Sequence, residues 1–143
     1  YNDIDSLNVF NLRKSKISYV FQNFKLFSNL SVYENIQLKN AVTNNKSTNE
    51  IDRLINQVQL SHKRDTLAKT LSLGQKQRVA ILRAICQPFD FLLLDEPFSQ
   101  LDKNNIKIIS DIIDQEIKKN NASLILTSLG NNYLFQYDKV LTL

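Results

Sequence analysis

The apolar run Phe91-Leu-Leu-Leu94 closes on the acidic pair Asp95-Glu96. In nucleotide-handling α/β sheets a carboxylate at the C-terminal end of a buried strand can hold Mg²⁺, because ligands gather outside those strand ends. Asp95 is placed for that role. The next residue, Glu96, can accept or align the proton of an attacking water beside the metal. An apolar run ending in Asp-Glu is not specific by itself. Upstream lies Leu71-Ser-Leu-Gly-Gln-Lys-Gln-Arg-Val-Ala80. It sets Ser72 at a helix start with Gly74 two residues on, a polarised donor cluster suited to an anion and open to close backbone approach. Ser72 can also cap its own helix, and the two roles are compatible.

These groups need elements to hold them. Lys16 to Phe21 has the β-branched and aromatic enrichment of a strand, ended by Gln22-Asn23. Ser31 with Glu34 forms a capping box whose helical face continues through Val32, Ile36 and Val42, and Thr43 to Lys46 reads as polar linker. Ser47 with Glu50 repeats the box ahead of Ile51, Leu54, Ile55 and Val58, spaced as one helical face. A third helix begins near Ser72, turns Val79 and Leu82 inward and ends before Pro88. Phe91 to Leu94 then reads as a buried parallel strand. A long helix carries Ile106, Ile109, Ile113 and Ile117 on one stripe, Leu124 to Thr127 is a second buried strand, and Asp138 to Leu143 a third. Strand, helix and strand in succession predict an α/β fold with a parallel sheet.

Composition narrows the class. The 143 residues suffice for one core and are short for two. A net charge of +4, with Lys and Arg scattered, describes a solvated basic surface rather than a nucleic-acid patch. The single cysteine, Cys86, excludes an internal disulfide and sits in an apolar helical stretch. The single histidine, His62, excludes a site built on two imidazoles and reads as an exposed loop residue. Apolar runs fall far short of the roughly 20 residues that span a bilayer.

The stretch Leu71 to Ala80 resembles the signature motif of ATP-binding cassette (ABC) proteins, LSGGQ followed by a basic residue, Gln and Arg. The match runs on through Ile81, Arg83-Ala84 and Pro88; Phe98-Ser-Gln-Leu-Asp102 resembles the D-loop, and Gln22 after Tyr19-Val-Phe21 the Q-loop, all in the family's order. The resemblance covers essentially the whole chain. It implies a P-loop NTPase-like parallel sheet core with an inserted helical subdomain at about 23–85 and a Walker B and C-terminal core at about 86–143. It implies ATP and Mg²⁺ as ligands. Asp95 and Gln22 would hold the metal, Glu96 would be the general base, and Gln22 would also meet the attacking water. Ser72, Gly74 and Gln75 would bind the γ-phosphate of ATP held by an opposite cassette, with Asp102 acting at that interface. Lys76 and Arg78 read as structural or surface charges, and Phe24, Phe27 and Leu30 as part of a partner-facing groove.

The implied function is an ATP-hydrolysing subunit of an ABC transporter. Its partners would be a second cassette, in a homo- or heterodimer, and a transmembrane permease, with no nucleic acid. Its place would be cytoplasmic, peripheral at the inner face of the cell membrane. Leu26 to Asn35 looks like small stand-alone cassettes, lipoprotein-release and peptide-export types among them.

Departures from the family pattern are specific. Leu73 stands where the motif has its first glycine, Ser128 where the family has its switch histidine, and Leu129 where an Asp follows it. The only glycines are Gly74 and Gly130, so the phosphate-binding loop G-x-x-x-x-G-K-[ST] is not in this sequence. Tyr1 to Leu12 resembles the family segment after that loop, which places the loop upstream; the start at Tyr1, without Met, reads as a truncated frame or a fragment. A degenerate regulatory cassette is one alternative, given Leu73 and Ser128. A DNA-repair or translation-factor ATPase of the same superfamily is another, although the interval from Gln22 to Leu71 lacks the sustained heptads of the repair type.

Overall fold

The starts of α-helices at Ser31, Ser47, Ser72 and Asp102 are written in short polar patterns, and the strand Phe91–Asp95 in an apolar run. The computed structural model of the chain describes residues 9–129, 133 and 135–142. In order these form α1 (Val9–Ser15), β1 (Ile17–Val20), α2 (Val32–Thr43), α3 (Thr48–Gln57), α4 (Leu73–Ile85), β2 (Phe91–Asp95), α5 (Lys103–Asn120) and β3 (Ser123–Thr127). Two short 3₁₀ turns, Ser61–Lys63 and Ala68–Thr70, lead from α3 to α4, and exposed His62 lies in the first. Ser31, Ser47 and Ser72 each accept from the backbone amide three residues on, and the side chain there returns the bond. The three capping boxes thus satisfy amides that a helix start leaves without partners.

The strands lie side by side in the order β1-β2-β3, all parallel. The register aligns Val20 with Leu94 and Leu94 with Leu126, so the three chains leave the sheet at one level. Alternation puts Ser18, Val20, Leu92 and Leu94 on a buried face. There the Ser18 hydroxyl donates to the carbonyl of Ala84 in α4 at 2.7 Å. The opposite face carries Ile17, Tyr19, Phe91 and Ile125, all exposed. The expectation of fully buried strands therefore needs correction: among the described residues the helices cover one face only, and Ile125 in β3 is 51% exposed. Asp138 to Thr142 forms no strand, with Val140 and Leu141 at 67% and 75% exposed and no described strand beside them; Leu143 lies outside the described residues.

Behind the buried face α4 contributes Val79, Ala80, Ile81, Leu82, Ala84 and Ile85 to the core. It packs on α2, β1 and α5. Ile109 and Ile113 of α5 are fully buried, flanked by the half-buried Ile106 and Ile117. Cys86 is buried as well, and burial pushes its thiol up to about 12, which leaves it an inert core residue. On α2 the buried face continues through Asn35 and Asn40, not through Val42, which is 51% exposed. Asn35 donates to the carbonyls of Phe27, Leu30 and Ser31 and accepts from the Phe27 amide, fixing the loop before the helix. Asn40 brackets both backbone groups of Lys46. The expected polar linker thus turns inward at Lys46, 3% exposed, because Glu116 of α5 meets its ammonium at 2.8 Å.

Among the described residues no helix is long and apolar enough to cross a membrane.

Candidate active site

The parallel register brings one edge of the sheet together. Gln22 follows β1, Asp95 ends β2 with Glu96 after it, and Ser128 follows β3. Asp95 is paired in register with Thr127, whose hydroxyl donates to Asp95 Oδ1 at 2.8 Å. That bond fixes the carboxylate over the strand ends. Glu96 breaks from the strand with φ of 48°, a left-handed conformation that costs a non-glycine residue about 1–2 kcal/mol. Several contacts hold it there. Its amide donates to Thr127 O at 3.2 Å, its carbonyl accepts from the Gln77 side chain at 3.0 Å, and Oε1 accepts from the Leu129 amide at 2.5 Å. The strain aims the carboxylate across the edge toward the segment that follows β3.

The second cluster lies at the start of α4. Ser72 caps the helix: its hydroxyl accepts from the Gln75 amide at 3.3 Å, and Gln75 Oε1 accepts from the Ser72 amide at 3.0 Å. The first turn carries no acid. Leu73 projects outward, 55% exposed, beside the polar start of the helix. A Cβ on Gly74 would stand 2.7 Å from the carbonyl oxygen of Gln100, so this position needs a glycine for intrachain packing alone. Arg78 is committed to the Val58 carbonyl at 2.6 Å and Asn105 Oδ1 at 3.0 Å, and burial draws its pKa down. Asp102 caps α5 by accepting from the backbone and side-chain amides of Asn105, bonds that hold its carboxyl below the usual range.

Arg83 links this helix to the loop after β1, donating to the carbonyls of Phe24 and Lys25 at 2.8 Å each. Both residues have positive φ. Phe24 and Phe27, expected in one groove, line two clefts: Phe27 borders one with Phe10, Leu38 and Val42, and Phe24 another with Leu26 and Leu73. Sequence reasoning missed Thr127, the Leu129 amide and Gln77. Thr127 adjoins a flagged residue, but its bond to Asp95 follows from strand register, which no local pattern encodes.

Among the described residues no group of three or more His, Cys, Asp and Glu side chains could cage a metal. Mg²⁺ commonly takes one or two carboxylates with the remaining ligands from phosphate and water, and one oriented carboxylate at Asp95 fits that demand.

A parallel sheet with acids at its C-terminal edge, backed by a capped glycine-bearing helix, is an α/β arrangement of the class that gathers ligands at the carboxyl ends of its strands. The model of the family described as ABC transporter matches residues 2–99, and the chain belongs to that family. It is 38% identical over 118 residues to the methionine import ATP-binding protein MetN of Photobacterium profundum, covering 80% of this chain and 34% of that protein. It is 33% identical over 129 residues to the lipopolysaccharide export system ATP-binding protein LptB of Haemophilus influenzae, covering 87% and 53%. To the lipoprotein-releasing system ATP-binding protein LolD of Buchnera aphidicola it is 32% identical over 130 residues, covering 89% and 57%. The dimeric post-hydrolysis structure of the ATP-binding cassette MJ0796 bound to ADP and Pi superposes with a TM-score of 0.72 at 27% identity, covering 88% of this chain and 58% of that one. The chain thus spans between a third and three fifths of the length of these proteins. The α/β fold with a parallel sheet is that of ABC ATPase cassettes.

Proposed function

We propose that this chain is the catalytic and signature-bearing part of an ATP-hydrolysing subunit of an ABC transporter, acting in a pair of cassettes that drives a membrane permease. The observation that carries the reading is the strand edge, where Thr127-held Asp95 stands beside the strained, triply anchored Glu96. Asp95, with Gln22 from the neighbouring strand end, would hold Mg²⁺, which supplies charge to the phosphates. Glu96 accepts the proton of the water as its oxygen bonds the γ-phosphorus and the bridge to the β-phosphate breaks, giving ADP and phosphate. Ser128 offers a hydroxyl where an imidazole would reach further, so turnover is slow. The acid-free start of α4, with Ser72, Gly74 and Gln75, faces the γ-phosphate of ATP bound by the opposite cassette, and Asp102 lies at the junction of the two.

In this reading residues of about 23–85 act as the helical subdomain and 86–143 as the catalytic core. The permease docks on the cleft between α1 and α2, about 330 Å³, with Phe10, Phe27, Leu38 and Val42 as its apolar floor and Arg13, Lys14, Lys39 and Arg83 at its rim. Burial, and then the neighbouring Arg83 and Arg13 cations, already draw the Lys39 pKa down, so an acidic partner side chain is favoured there. Such a subunit works at the inner face of the cell membrane.

ATP titration tests the reading. The 143-residue chain should give little heat, since it has no phosphate-binding loop. The same chain preceded by that segment from LolD should bind ATP and hydrolyse it with Mg²⁺. Binding without any hydrolysis would favour a regulatory cassette instead.

A further inference from the structure

Gln77 is a buried polar side chain on an otherwise apolar stretch of α4. It sits on α4, 1% exposed, among Val79, Ala80 and Ile81 of the core. Burying a carboxamide is unfavourable unless both its ends are bonded. Both ends of Gln77 are bonded, and to one loop: Nε2 donates to the carbonyl of Glu96 at 3.0 Å, and Oε1 accepts from the amide of Gln100 at 3.0 Å. The two backbone groups bracket residues 96–100, the segment that leaves β2 with Glu96 at φ of 48°. One turn earlier on the same helix, Gly74 lies so near Gln100 that a Cβ would stand 2.7 Å from its carbonyl oxygen. The start of α4 and the loop after β2 therefore meet at two points, one of close packing and one of paired hydrogen bonds.

We propose that Gln77 is a positioning residue: its carboxamide clasps loop 96–100 to α4, so that Glu96 and the Ser72 end of the helix move as one body. This rests on the reading given under Proposed function, in which Glu96 serves the ATP of its own cassette and Ser72 the ATP of the opposite one. One rigid unit would then carry a group for each of the two sites, and closing one would set the geometry of the other. A carboxamide donates and accepts through a single planar group, as this position uses it. Glutamate loses the donor and sets a carboxylate against the Glu96 carbonyl; methionine keeps the bulk and loses both bonds. The loop has other anchors, the Glu96 amide on Thr127 and the ring of buried Phe98 against Tyr133 at 4.6 Å, so releasing the clasp should not unfold it.

Amide exchange on the 143-residue chain reads the clasp directly, without nucleotide. Gln100 is exposed, yet its amide is bonded to a buried side chain, so it should be protected in the parent and exchange about tenfold faster in Gln77→Met, with Ile81 in the middle of α4 unchanged. Equal Gln100 exchange in both would overturn the clasp. Should Gln77→Met fail to fold, Gln77→Glu removes only the donor to the Glu96 carbonyl, and the loosened loop is then read at the Glu96 amide, which donates to Thr127 and should exchange faster than in the parent; equal exchange there would overturn the clasp. In the chain preceded by the phosphate-binding segment, Gln77→Met should lower kcat about tenfold at unchanged KM for ATP, because Glu96 is misplaced while binding is intact. Unchanged kcat would overturn the positioning role. Failure of the parent to hydrolyse ATP would sink the ATPase reading, while the exchange result would still decide whether the clasp exists.

Discussion

Three helices of this chain begin with the same reciprocal cap, and the third differs in one atom type. At α2 and α3 the group that bonds back to the capping serine is a carboxylate, Glu34 and Glu50; at α4 it is the neutral amide of Gln75. The geometry is shared, with bonds of 2.7, 2.9 and 3.0 Å to the serine amides. The electrostatics are not. A carboxylate at a helix start complements the positive end of the dipole and stabilises the helix. It would also occupy the place an anionic ligand needs. The starts of α2 and α3 are therefore finished as structure, whereas the start of α4 satisfies its amides and keeps its positive potential. The same division holds further along. Around α2 and α3 the buried polar side chains Asn35, Asn40 and Lys46 are bonded internally, while the strand edge holds Glu96 in a strained conformation.

The largest effect is expected where the structural side is most tightly closed. Lys46→Met removes the partner of Glu116 in a pair whose side chains are 2% and 12% exposed, and leaving a buried charge alone costs about 3 kcal/mol. Urea unfolding of the 143-residue chain should show that loss; a change near zero would mean that Glu116 finds water and the pair is not a closed element.

A direct way to break the contrast is Gln75→Glu, which gives α4 the same box as α2 and α3. Stability should hold or rise slightly by the dipole effect. ATP-driven pairing, in the chain preceded by a phosphate-binding segment, should weaken about tenfold, because in the proposed pairing the new charge would face the γ-phosphate. Sedimentation with and without ATP measures it, and unchanged pairing would remove α4 from the ligand site.

Acid sharpens the contrast with the smallest effect. Hydrogen bonds from the Ser31 and Ser47 backbones hold the carboxyls of Glu34 and Glu50 below their ordinary value of 4.5. The folded state thus binds fewer protons than the unfolded one. The contribution is full above that value and is lost as pH falls through the lowered ones. Glu34→Gln with Glu50→Gln should flatten the fall of the unfolding midpoint on acidification, whereas Gln75 contributes no pH dependence. An equally steep fall in the double variant would assign it to other carboxyls.

Much of this was legible in the sequence, for a physical reason. Capping boxes are patterns of spacing three, and strands such as Phe91 to Asp95 are contiguous apolar runs, so both are written locally. Asp95, Glu96, Gln22 and Ser128 could be placed at one edge because parallel strands end together. What escaped depends on partners far along the chain. Lys46 reads as linker until Glu116, 70 residues on, reaches it; Gln77 reads only as the second glutamine of the signature motif until loop 96–100 folds over it. The expected strand after Asp138 had its apolar residues but no neighbour among the described strands. Open strand faces were unreadable as well, since a run such as Phe91 to Leu94 looks the same whether helices cover one face or two.

The central claim, that the strand edge hydrolyses ATP through Glu96, meets its most direct test in one substitution. In the chain preceded by a phosphate-binding segment, Glu96→Gln keeps the size and the acceptor for the Leu129 amide but cannot take a proton. ATP binding should persist while steady-state hydrolysis falls by about 10²–10⁴-fold. Hydrolysis at the parent rate would contradict the account and require another base.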